Sequence, residues 1–526
     1  MQARHVLAVL SLAASAQVGM PGIQAAPLFE NRSTGLGITH QYEGGWEFFV
    51  GGGVATFDCD NDLFPELFVA GGENASALFR NVTDRRGGAV AYEEKTPEAL
   101  KLTGVTGAYP LDVDGDTIMD LMVLRVGQNE LLRGTGDCNF AEFPKALGFE
   151  SPDKWSTAFS ATWEAGQILP TLAVGNYVDR GNPEGPFEAC DTNSLYRPGG
   201  EAYGRPLALS PGYCTLSMLF SDWGRKGRQD LRVSNDRHYY VRGGSEQMWA
   251  MEGGPRLYGK ADNWQEFMLW GMGIASRDIT GDGIPELMLS SMGDQKFQSL
   301  NLDAEGPWFV DATYERGTTA QRPYMGDDGR PSTGWQTEFG DVQNDGRADI
   351  FIAKGNVEEM PSAAMKDPNN LLIQDENGNF SEAGGAAGIG SFARSRGATL
   401  SDLNLDGLLD LVVVNRRAPL EIYQNITENT GNWLLLEVEQ PAPNRAAIGG
   451  WIEVESAGRS WFRELTIGGG HASGSAALNH FGLGSAEEVR LRLVWPGGEV
   501  SPWQSVATNQ ILRLARSGDG LKIEKL

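Results

Sequence analysis

The chain has 526 residues, 69 of them glycine, only 21% charged, and a formal net charge of −26. So acidic a balance excludes nucleic acid and anionic membrane as main partners, because both select basic faces. The length calls for several cores or one large closed ring, and the glycine content for short strands joined by tight turns.

Residues 1–25 carry Arg4 and His5, an apolar run from Val6 to Ala16, and small residues ending at Ala25. This is the order of a secretory signal, with cleavage expected near Ala25. The run is too short to span a bilayer, and no other stretch of about 18 apolar residues follows. A secreted or periplasmic monomer without a transmembrane segment is expected.

One phrase then recurs along the chain: a small-residue strand, an acid-rich loop, and a short apolar strand. It begins at Gly51 (GGGVATFDCDNDLFPELFVAGG), Gly107, Gly271, Gly334 and Arg396, with weaker copies around Asn176 and Asp222. The first loop positions, Asp58, Asp112, Asn176, Asp222, Asp278, Asp341 and Asp402, lie 46 to 64 residues apart. That interval suits a four-stranded propeller blade, and seven copies suit a closed ring without exposed edges. The expected fold is all-β: a seven-bladed β-propeller over 26–428, then a small C-terminal β domain. A third strand (Ala77 to Asn81 in the first copy) and a fourth (Ala91 to Thr96) follow each phrase. The seventh copy lacks its fourth strand, which the segment Leu28 to Thr34 is expected to supply.

Five loops place oxygen side chains at positions 1, 3, 5 and 9. They are Asp58/Asp60/Asp62/Glu66, Asp112/Asp114/Asp116/Asp120, Asp278/Thr280/Asp282/Glu286, Asp341/Gln343/Asp345/Asp349 and Asp402/Asn404/Asp406/Asp410. Alternate spacing aims these oxygens at one centre, and Gly283, Gly346 and Gly407 permit the sharp turn after position 5. Hard oxygen donors without Cys or His select Ca²⁺, so about five calcium sites are expected. Asp-Gly hairpin turns alone do not account for several carboxylates converging at a cost in repulsion. Leu63 and Thr117 stand where the other three loops have Gly, which weakens the case for the first two. The Asp222 loop has Gly224 and Lys226 at positions 3 and 5, and the Asn176 copy has Val178 and Arg180; neither is expected to hold metal. Lys226 either takes a cation's place among the acids or points into water.

Four cysteines in an exported chain allow three pairings. Cys190 and Cys214 flank a Gly/Pro-rich stretch and are assigned to each other; Cys59 and Cys138 either pair between neighbouring repeats or remain thiols. The long segment from Gly181 to Pro211 reads as an insertion, either a binding element or a disulfide-clamped cover. Beside it, Asp236, Arg237 and His238 could face the central funnel as a ligand or catalytic group, or hold structure. Trp249, Trp264 and Trp270 are either blade core or a sugar platform. No hydrolase elbow, zinc-protease, Walker or dinucleotide motif occurs.

The C-terminal segment carries Asn432-Trp433-Leu434-Leu435, Asn444 to Gly449, Arg463 to Gly470, His480-Phe481-Gly482-Leu483-Gly484 and Val494-Trp495-Pro496-Gly497-Gly498. In order and spacing these resemble the ASPIC/UnbV domain, taken to span 429–516 with 517–526 as a tail. The repeats resemble the FG-GAP/VCBS type of integrin-like propeller, and the combination resembles the cartilage acidic protein family. That resemblance implies secretion, calcium binding and extracellular interaction, with no defined reaction. The expected function is therefore a calcium-binding interaction module for a protein or carbohydrate ligand. The alternative is an exported enzyme with its site in the funnel near His238.

Overall fold

The structure is a computed structural model that describes residues 25–184, 189–236, 244–293, 295–326, 329–518 and 520–526. Arg237, His238 and almost all of the expected signal lie outside these.

Among the described residues seven four-stranded antiparallel units follow one another, the second and third joined into one eight-stranded sheet through Lys154–Trp155 and Val126–Gly127. The first runs Val54–Phe57, Glu66–Val69, Ala77–Asn81, Tyr92–Glu94 from inside to outside. The inner strands of the next six are Val105–Leu111, Lys154–Thr162, Thr215–Ser221, Gly271–Arg277, Gly334–Gly340 and Arg394–Ser401. Each inner strand packs on the next, and Arg394–Ser401 returns to Val54–Phe57, which closes a β-propeller. Second strands such as Glu66–Val69 and Asp349–Lys354 are buried along their whole length. They are covered on both faces by neighbouring blades, so their sequences run apolar instead of alternating. Phe29–Asn31 pairs antiparallel with Glu421–Asn425 and supplies the fourth strand of the last blade. Two disulfides are formed, Cys190–Cys214 and Cys59–Cys138, the second joining the first blade to the second.

Two sequence readings of the third blade need correction. Its inner strand runs nine residues, so the loop equivalent to the acid loops is Trp163 to Pro170, before the strand Thr171–Asn176. Asn176 sits at the far end of that strand, where its amide bonds Ser156 and Thr192. The stretch from Gly181 to Pro211 is not an insertion either. It contains the blade's third and fourth strands, Asn193–Tyr196 and Leu207–Leu209, and Cys190–Cys214 ties their approach to the next blade.

The C-terminal domain is two facing four-stranded sheets. One holds Asn479–Gly484, Asn432–Glu439, Gln510–Ser517 and Gly520–Lys525; the other holds Arg459–Glu464, Trp451–Ser456, Glu488–Val494 and Gln504–Ala507. The strand Gly520–Lys525 lies in what the sequence suggested was a tail; it pairs with Gln510–Ser517 along its length. Leu434, Ile452, Phe481, Leu491 and Trp495 fill the space between the sheets. That core is continuous with Tyr109, Leu111 and Phe159 of the propeller through Leu465 and Ile467.

The continuity has a structural cause. After Arg459–Glu464 the chain leaves the domain and enters the propeller's central channel. Ile467, Gly468, Gly470 and Ser473 bridge to Ala161, Leu219, Ile274 and Ala108, and Gly474–Ser475 pairs with Ala55–Thr56. His471 accepts from the Gly51 N–H at 3.1 Å, faces the Met272 carbonyl at 3.2 Å, and donates its own N–H to Gln336. A Cβ at Gly53, Gly107 or Gly397 would collide with Ala472 or Ser473. The small residues of the inner strands are therefore small because this segment occupies the channel.

Candidate metal centres

In each of the five loops the first aspartate organises the turn. Asp58 accepts the N–H groups of Asn61 at 2.7 Å and Leu63 at 2.8 Å, and Asp402 accepts those of Asp406 and Gly407 at 3.1 and 2.6 Å. The fifth residue accepts from the seventh, as Asp62 does from Phe64 and Asp282 from Ile284. The ninth residue ties strands together. Asp349 accepts from Val342 and Gln374, and Asp410 from Leu403 and Asn425. Asp230, in the fourth blade, also takes a backbone N–H, from Met251 just past the third strand, although its loop lacks the other acids. A ninth-position acid alone is thus a structural residue.

The third position differs. Asp60 Oδ1, Gln343 Oε1 and Asn404 Oδ1 are buried and accept no hydrogen bond. A buried acceptor left unpaired costs about 1–3 kcal/mol, and three at equivalent positions mark a shared missing partner. Asp58, Asp60 and Asp62 bring oxygens within 4.8 Å of one another, as do Asp112, Asp114 and Asp120. Asp116 is not in that group: its Oδ1 accepts from Ile118 as in the other loops, its Oδ2 is bonded to Arg133 at 2.6 Å, and Arg133 also reaches Asp114. Glu66 sits instead against the Cys59 backbone and the Cys59–Cys138 disulfide. Arg80 pairs with Asp60 and Arg347 with Asp345, each leaving the carboxylate's other oxygen toward its loop. In the Asp278, Asp341 and Asp402 loops the neutral donors Thr280, Gln343 and Asn404 replace one carboxylate.

Burial, followed by neighbouring acids, raises these carboxyls. Glu66, Asp120, Glu286 and Asp402 are pushed up to about 8 and Asp341 to about 7; Asp349 and Asp410 lie well above the usual range. Such a cluster favours a proton or a cation, and all-oxygen donors fit a hard divalent ion.

In the Asp222 loop Lys226 is exposed, as the second of its two expected roles has it, with its ammonium over the Trp223 ring at 5.1 Å. Trp249 and Trp264 are buried in blade cores, Trp264 with Arg232 stacked on its face, which removes the sugar-platform reading for both. The Asp236 carboxylate accepts the Tyr177 hydroxyl at 2.5 Å, while the remainder of the funnel candidate falls outside the described residues. What sequence reasoning missed is His471, fully buried in the channel and pushed down to about 3, chiefly by desolvation. The run Gly468-Gly469-Gly470 before it was the available signal, since three consecutive glycines here all take positive φ.

The ASPIC and UnbV profile matches residues 440–520, and an FG-GAP-like repeat profile matches 341–413. No curated relative matches the chain. Among solved structures, BBS1N in complex with ARL6DN is similar at 10% identity and TM-score 0.42, over 76% of this chain and 97% of that one. A lectin from Agrocybe aegerita that recognises non-reducing terminal N-acetylglucosamine is 14% identical, TM-score 0.37, over 72% and 94%. An ancestral GH74 enzyme is 11% identical, TM-score 0.39, over 90% and 58%. At these scores none of the three bears on function.

Proposed function

We propose that this chain, an FG-GAP-repeat protein with a C-terminal ASPIC/UnbV domain, is an exported calcium-binding interaction module. The observation that carries the calcium reading is the set of unpartnered third-position oxygens, Asp60 Oδ1, Gln343 Oε1 and Asn404 Oδ1, beside carboxylates raised by burial. Positions 1, 3 and 5 would hold the ion, with the ninth-position acid orienting the loop, except in the second loop, where Asp112, Asp114 and the ninth-position Asp120 would hold it. Two disulfides support export, because such bonds persist in oxidising compartments. Among the described residues no helix is long and apolar enough to cross a membrane.

The C-terminal domain covers the loop face, so a protein or glycan partner is left the opposite face or the rim. On that opposite face Met325, Met365 and Phe392 are all exposed, and Phe392 and Lys366 both pack around Gly326. Calorimetric titration of calcium into chelated protein tests the metal reading. We expect saturable heat and a melting temperature several degrees higher with calcium than with EGTA; flat heat and an unchanged melting temperature refute it. Asp402→Asn should reduce the stoichiometry by one without unfolding the protein.

A further inference from the structure

The C-terminal domain reaches the propeller rim largely through the backbone of the acid loops. Arg459 and Trp461 both donate to the Gly346 carbonyl, Trp461 at 2.9 Å. The Gly431 and Gly484 N–H groups donate to the Gln343 and Asn344 carbonyls at 3.1 and 2.8 Å. His480 Nε2 lies 2.9 Å from Asn344 Oδ1 and 3.1 Å from the Gly407 carbonyl. The Trp433 ring covers Gly407, and Arg445 donates to the Gly115 carbonyl at 2.6 Å. Gly482 lies so close to the first-position Asp341 that a Cβ there would collide with its carboxylate.

These carbonyls belong to turns held by backbone N–H bonds to the acids at positions 1 and 5, beside which the third-position oxygens stand. Without a cation those carboxylates repel, and the turn that presents Gln343, Asn344, Gly346 and Gly407 loses its reason to stay tight. Two acceptors buried to within about 1% in these turns, Gln343 Oε1 and Asn404 Oδ1, have no protein partner. The fourth blade supplies the contrast. Its loop lacks the ligand set and holds the same domain by direct side-chain bonds instead. Arg225 pairs with Glu453, and Glu464 accepts from Ser221 and from the Asp222 N–H at 2.6 Å each.

We propose that cations in the Asp341 and Asp402 loops latch the C-terminal domain onto the propeller and thereby keep residues 465–477 seated in the central channel. The inference rests on the calcium reading and adds a consequence to it. Loss of the ion frees the loop-face contacts and withdraws the segment that bridges the inner strands, a segment that now lines a cavity of about 560 Å³ between propeller and domain. Arg277, Glu338 and Arg463 line the same cavity, with both guanidiniums directed at the His480 carbonyl at 3.3 Å, and would become accessible on withdrawal.

Hydrogen exchange on the full mature chain reads the latch at the amides of Gly469, Gly470 and Ala476, which donate to Met218, Ile274 and Thr56. Replacing calcium with EGTA should speed exchange across 465–477 by about tenfold or more, while outer blade strands change little. Calcium heat in calorimetry with unchanged exchange at 465–477 overturns the latch and leaves the calcium reading standing; absence of heat overturns both. Gly482→Ala should release the segment even in saturating calcium, and unchanged exchange there counts against the latch. Should that variant fail to fold, Trp461→Phe removes one bond to Gly346 at nearly constant volume. It should raise exchange at 465–477 by about two- to fivefold, and no rise again overturns the proposal.

Discussion

Position 6 of the loops shows how one residue's backbone carries a sequence rule. Gly283, Gly346 and Gly407 take φ near +85 to +89, and Leu63 and Thr117 adopt the same left-handed region at 76 and 77. The turn is thus made without glycine, at a steric cost of about 1–2 kcal/mol for each L-residue. Leu63 recovers part of it by packing near Leu435 and Trp433, but Thr117 is exposed and β-branched. Thr117→Gly should therefore stabilise the protein by about 1 kcal/mol, read as a higher denaturation midpoint. His480 gives a second residue-scale prediction. Desolvation, then Arg277, holds it down to about 3, against about 6.5 unfolded. Its contribution is complete above pH 6.5 and is lost as pH falls, because the unfolded state then binds the extra proton. The stability gap between wild type and His480→Asn should shrink by about 2 kcal/mol between pH 7 and pH 5. A gap independent of pH would mean that the ring is not buried neutral.

At the scale of elements, the three residues Phe29–Asn31 decide whether the ring is closed. They complete the sheet of Arg394–Ser401, and the Arg32 side chain and Leu28 N–H add bonds to Gln424 and Thr427. Removing residues 26–40 leaves Glu421–Asn425 as an open edge and strips Phe29 from the core it shares with Tyr423 and Leu411. We expect a fall in melting temperature of ten degrees or more and a tendency to associate; an unchanged melting curve would exclude the closing role. Element length also explains the misplaced third repeat. Five phrases align because an acid follows the inner strand at once, whereas Lys154–Thr162 is followed by Trp163 to Pro170, which carries one acid, Glu164. With no acid pair to anchor it, the pattern slips onto Asn176 and Asp179.

Over the whole molecule, propeller and C-terminal domain share one apolar core. Leu465 and Ile467 enter the cluster that contains Tyr109, Leu111, Phe159 and Leu172, and the channel segment meets inner strands around the ring. A chain ending at residue 428 would expose those inner-strand faces and the acid-loop carbonyls now bonded to the domain. We expect such a truncation to melt lower and to bind hydrophobic dye, and the intact protein to unfold in one transition in calcium. Two separate transitions in calcium, with the truncated propeller as stable as the intact chain, would contradict a shared core.

The repeat period, the acid spacing and the ASPIC/UnbV motifs are local in sequence. They were enough to determine an all-β propeller with oxygen-rich loops, a borrowed N-terminal strand and a C-terminal β domain. Cys190–Cys214 was legible for the same reason, since its partners flank one short segment, whereas Cys59–Cys138 joins neighbouring blades. The use of Gly468 to Ser475 as a channel plug was decided only by tertiary structure. So were the docking of His480 and Gly482 on the loop face and the pairing of Asp116 with Arg133. The plug joins positions 420 residues apart and the docked domain positions 136 apart, while Asp116 and Arg133 meet across a turn from 17 residues away; and a glycine needed for close approach looks in sequence like any glycine in a turn.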